Sequence, residues 1–215
     1  MASEGQATET RPTLLARLTA GGTDGNARLT AVTGVVLLVL LAALGITILR
    51  IHPLLEEHMF LGMLLIGPVA LKMGSTGYRF VRYYTAEPRY RRKGPPELAL
   101  RVLAPLLVLS TIVVFASGVA LMLVGPSSRG TLTSIHKVSF FVWLSAAVLH
   151  VLGHLTELPR VLAPTDAGLA ALEERRAGRG GRALALSGML VAGVVLGVVS
   201  ISQYGPWVNA HFPHH

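Results

Sequence analysis

The chain has 215 residues, of which 52% are hydrophobic and only 14% charged, and its formal net charge at pH 7 is +8. That balance, with a mean hydropathy of +0.57, is too apolar for an ordinary soluble domain and places the chain in a membrane. The absence of cysteine excludes disulfides, thiolate-bound iron–sulfur clusters and covalently attached c-type haem, and the basic residues gather in loops between apolar runs, which argues against a nucleic-acid partner.

Residues 1–30 are rich in Thr, Gly, Ala and charged side chains and lack the apolar core of a signal peptide. They read as a flexible cytoplasmic tail, with a short helix around Leu14 to Leu18. Five apolar runs follow, at about 31–51, 58–84, 97–124, 135–158 and 183–201, each long enough to cross a hydrocarbon core of about 30 Å. The first holds no histidine and ends at Arg50 and His52, with Pro53 stopping the helix. The link to the second run is short, so these two helices are antiparallel neighbours.

The second run begins near His58. Pro68, Lys72, Gly74, Ser75 and Gly77 make its second half a poor lipid-facing surface, which predicts enclosure by other helices and a kink near Pro68. Gly62, four residues after His58, leaves room on that face for a neighbouring helix or a flat cofactor. The most basic stretch comes next, with Arg79, Arg82, Arg89, Arg91, Arg92, Lys93 and Arg101, and is expected to stay in the cytoplasm. Tyr78, Tyr83, Tyr84 and Tyr90 suit an interfacial aromatic belt.

The third run has no histidine and carries Ser117 and Gly118 towards its outer end. GPSSRGTLTS reads as an external turn before the fourth run. Beyond that run, Thr165 or Asp166 can cap a surface-lying amphipathic helix to about Ala177, and Arg175, Arg176, Arg179 and Arg182 place this loop inside. The fifth run delivers residues 204–215 to the outside. Five spans with a cytoplasmic amino terminus satisfy the positive-inside rule at every loop. The expected fold is therefore an all-α membrane protein of the plasma membrane, its five transmembrane helices forming a haem-binding bundle within residues 31–203.

The haem expectation comes from the histidines. On a helix, His136, His150 and His154 fall within roughly 40° of one stripe, and the fourteen residues from His136 to His150 span about 21 Å. An imidazole in lipid needs a partner. With the amino terminus inside, His58 and His136 both start their spans on the outer side, at matching depth. An inward-facing pair on two helices is what bis-imidazole ligation of haem iron requires. His58 and His136 are thus the expected iron ligands. Gly62, Phe140 and Trp143 would lie along the haem edge, and Arg50, Lys137 or Arg129 would pair with its propionates. The plainer reading is a hydrogen-bonded polar cluster near the interface.

At the inner level, the fourteen-residue step from His58 lands on Lys72, beside Met73. His150 is a candidate cofactor ligand there, for a second haem shared with Met73. Lys72 would have to lose a proton to ligate, so it reads better as a cation near a propionate, a quinone oxygen or a carbonyl. His154 suits proton transfer. His211, His214 and His215 read as a solvated tail, since ligand spacing without supporting residues makes no metal site.

The His58/His136 pairing with a fourteen-residue histidine step resembles the diheme cytochrome b of quinol-oxidising respiratory complexes, with Lys72 where one of four ligands would stand. More closely, His58, LKMGSTGYRFVRYYT at 71–85, YRRKGPP at 90–96, SGVAL at 117–121 and HVLGH at 150–154 are similar to a family of small actinobacterial membrane proteins classed as cytochrome b-like. The match covers about residues 50–160. It implies an integral membrane electron carrier serving a molybdopterin oxidoreductase or a similar redox partner outside the membrane.

Two functions follow from this reading. In the first, the chain is a membrane b-type cytochrome, an electron-transfer subunit passing electrons between the quinone pool and an extracytoplasmic protein through haem b. In the second, it is a haem-free membrane subunit or small transporter whose His/Lys seam relays protons or binds an anion. A haem enzyme acting on a small molecule ranks last, because paired histidines fill both axial positions.

Overall fold

The structure, a computed structural model, describes residues 22–85, 98–155 and 178–210. Five long helices make it up: α1 (Gly22–Leu49), α2 (Leu55–Tyr84), α3 (Leu98–Val124), α4 (Gly130–Leu155) and α5 (Arg179–Ser200). Single 3₁₀ turns at Pro126–Ser128 and Ile201–Gln203 and a short helix, α6 (Gly205–Val208), complete the order, and there is no strand among the described residues. All five long helices are long and apolar enough to span a bilayer. Their outward faces are bare hydrocarbon: Leu49, Val102 and Val199 are 84%, 72% and 73% exposed, which water would not tolerate along whole helices and lipid does. The chain is a multi-pass, all-α membrane protein.

The helices differ from the apolar runs at their ends. α1 starts at Gly22, nine residues before the run at 31, because Asn26 and Thr30 extend the helix through polar contacts with α2. Hydropathy marks the part of a helix that meets lipid and misses a polar turn held by a neighbour. α4 likewise starts at Gly130, so the turn between α3 and α4 is confined to the residues around Gly125, whose φ of 74° suits glycine, and the Pro126–Ser128 turn. Residues 204–210 are no free tail at their start: Tyr204 is buried, donates to the Gly197 carbonyl (3.1 Å) and sits 2.8 Å from the Ser200 hydroxyl. The expected helices near Leu14–Leu18 and at 165–177, and His211, His214 and His215, lie outside the described residues.

Packing divides the helices into two groups. α2 lies between α1 and α5, while α3 and α4 form an antiparallel hairpin that meets the first group mainly through a light contact between α3 and α2. The α2–α5 crossing is backbone against backbone. A Cβ at Gly67 would fall on the Met189 carbonyl oxygen, and one at Gly193 on that of Leu64. Leu64 is four residues before Pro68, which has no N–H to give it, so its oxygen is left for a Cα–H···O contact from Gly193. α2 runs through the expected kink site as one continuous helix with Pro68 buried. One turn along, Gly197 makes room for the Phe60 ring.

Candidate cofactor site

His58 and His136 are each tied back to a helix of their own group. His58 on α2 has Nδ1 3.0 Å from Thr47 Oγ1 on α1. The Thr47 hydroxyl proton is already donated to the Leu44 carbonyl at 2.6 Å, so its oxygen accepts and His58 Nδ1 carries the proton. His136 on α4 has Nδ1 3.0 Å from the Val114 carbonyl and 3.1 Å from Ser117 Oγ, both on α3. A carbonyl only accepts, so Nδ1 of His136 also carries the proton. In both rings the lone pair is left on Nε2, for which the described residues provide no hydrogen-bond partner.

That is the arrangement a metal-ligating imidazole needs: one nitrogen holds the ring through an oxygen, and the other faces the metal. The two rings belong to different helix groups, since α4 rests mainly on α3 while α2 packs on α1 and α5. Space is available beside them. Nothing lies within 4 Å of where a Cβ would stand at Gly62, one turn below His58. Gly118 has the opposite role, because a Cβ there would come within 3.1 Å of His136 Cε1 and push the ring off its seat. On α4, Phe140 and Trp143 stack at 6.3 Å between centroids, one and two turns along the His136 stripe. Two anchored Nδ1 atoms and two Nε2 atoms without a hydrogen bond are the donor set that a bis-imidazole haem would require of His58 and His136.

The remaining expected residues are more scattered. Arg50 and Lys137 are exposed near their helix ends, with no contact that ties them to the histidines. Lys72 turns towards α1: its Nζ donates to the Thr30 carbonyl at 2.7 Å and lies against Gly34. Met73 instead lines an open apolar groove between α2 and α3, with Ile66, Val69, Phe115 and Val119. His150 packs edge-on against His154 at 4.7 Å, and its Nδ1 is buried without a partner.

Thr47, Ser117, Gly118 and the Val114 carbonyl were not singled out as histidine supports by the sequence. A signal for Thr47 does exist: Thr33 and Thr47 are the same fourteen residues apart as His58 and Lys72, and apart from Arg50 they are the only polar side chains of the run at 31–51. The carbonyl of Val114 carries no such mark. Comparison with protein-family models, with curated proteins and with solved structures gave no match. The class is therefore defined by the fold alone, a five-helix membrane bundle holding two anchored histidines on separate helix groups.

Proposed function

We propose that this protein is a membrane b-type cytochrome that carries electrons between the quinone pool and an extracytoplasmic redox protein, with one haem b held by His58 and His136. The observation that carries the reading is the shared tautomer: both Nδ1–H groups are used by Thr47 and Val114, and both Nε2 lone pairs are left over. The resemblance to cytochrome b-like membrane proteins points the same way, and it favours a molybdopterin oxidoreductase or a similar enzyme as the partner. Bound haem supplies a one-electron couple that no side chain of this cysteine-free chain offers.

The chain's own residues set the conditions for that couple. Thr47 and the Val114 carbonyl orient the two rings and raise their basicity as ligands. Gly118 seats His136, Gly62 keeps one flank clear, and Phe140 and Trp143 stack on α4 along the His136 stripe. In the orientation set by the basic loops, the amino terminus is cytoplasmic and the histidine pair lies at the outer level, near an extracytoplasmic partner.

A pyridine haemochrome assay on purified protein tests the proposal directly. The expected result is one haem b per chain, abolished in His58→Ala and in His136→Ala. Colourless protein from haem-replete cells would overturn it and leave the His/Lys seam of a transporter or haem-free subunit as the better reading.

A further inference from the structure

What holds helices together in a bilayer differs from what holds them in water. Lipid tails are as apolar as leucine, so apolar surface gives helices no drive to associate, and close small-residue crossings and interhelical hydrogen bonds do the holding. Both devices occur inside the two helix groups. α1 is bound to α2 by the Lys72 ammonium on the Thr30 carbonyl (2.7 Å), by Asn26 Nδ2 on the Ser75 carbonyl (3.0 Å) and by Thr47 at His58. α2 meets α5 backbone to backbone at Gly67 and Gly193, and α4 is bound to α3 by His136 on the Val114 carbonyl, seated over Gly118.

The contact between the groups has another character. Ile66, Val69 and Met73 of α2 face Phe115, Val119 and Leu123 of α3 across a groove that lies open on one side. Its walls are hydrocarbon, so closing it exchanges lipid tails for side chains at little gain. His58 and His136 are placed one on each side of this weak seam, and neither depends on the other group for its orientation. Thr47 holds one ring and Val114 with Ser117 the other, each from inside the same group, whatever the spacing of the groups.

We propose that the α3–α4 hairpin and the α1/α2/α5 group are two rigid bodies that shift against one another along the α2/α3 groove, and that a ligand shared by His58 and His136 clamps them at one spacing. Rigid-body movements of this kind run on the microsecond to millisecond scale. A ligand that reaches both rings at only one separation draws the population to that separation. Because each ring keeps its own oxygen anchor throughout, the distance between the bodies is the coordinate left for the ligand to set. The clamp rests on the bis-histidine haem reading, whereas the movement does not.

The chain has no cysteine, so pairs of spin labels can be placed at will. Glu56→Cys with Thr131→Cys, both exposed, spans the two groups, and Glu56→Cys with Ser202→Cys, likewise exposed, stays within one. Double electron–electron resonance is recorded on full-length protein in phosphatidylcholine nanodiscs, produced with and without a haem supply, with haem content measured on the same samples. The spanning pair should give a broad distance distribution without haem, narrowed about twofold or more once haem is bound, while the pair within one group is narrow in both. His136→Ala should keep the broad distribution in haem-replete cells; should it fail to fold, the haem-starved sample decides alone. A spanning pair equally narrow with and without haem would overturn the movement, and one that stays broad in haem-loaded protein would overturn the clamp. Protein that takes up no haem would remove the cytochrome reading and the clamp with it, and the breadth of the spanning pair would then decide the movement by itself.

Discussion

At the scale of single residues, His58 and His136 differ from His150 in what holds their Nδ1 atoms. Thr47→Val keeps the shape of the side chain while removing the oxygen that accepts from His58. Loss of such an orienting bond lowers metal affinity by about 10- to 100-fold, so on the proposed haem ligation this variant should lose haem during dilution or apomyoglobin challenge far sooner than the parent. The histidines were legible in the sequence because an ionisable side chain in an apolar run demands a partner. Their supports were harder to read. A threonine or serine in a membrane helix most often satisfies itself on its own backbone, as Thr47 does with Leu44 and Ser117 with Val114, and only the fold reveals that the same oxygen serves a second helix.

At the scale of helices, the five apolar runs located every long element, since length and composition are enough to mark a span. They did not locate helix ends, because the turns at Gly22–Thr30 and Gly130–Ser134 are polar and are held by neighbours or by their own side chains. They also could not say which helices touch. α2 and α5 are far apart in sequence, and their crossing depends on Gly67 and Gly193, which resemble any other small residue in a membrane helix until their partners are known. Gly193→Ala drives a methyl group into the Leu64 carbonyl and forces the helices apart. The cost should be about 1–3 kcal/mol, seen as an earlier midpoint in an SDS-denaturation titration, whereas Gly188→Ala, which meets open space, should leave the midpoint in place.

At the scale of the whole molecule, the basic loops predict an orientation in the bilayer, and the chain is well suited to testing it. Because it has no cysteine, any single introduced thiol reports alone. Glu56→Cys, exposed at the start of α2, should react with a membrane-impermeant maleimide added to intact spheroplasts. Thr85→Cys, exposed at the other end of the same helix, should react only after permeabilisation. The reverse pattern would put the histidine pair at the cytoplasmic side and assign it a different partner.

The wide sequence separation of α2 and α5 also bears on how the molecule is made. Helices leave the ribosome one at a time, and α5 is the last of the five to arrive, yet it provides one of the two faces against which α2 is packed. By the time α4 has emerged, both histidines and their oxygen anchors are already present, on segments that do not include α5. During synthesis the histidines and the oxygens that hold them are therefore made before the helix that braces α2 from its other side.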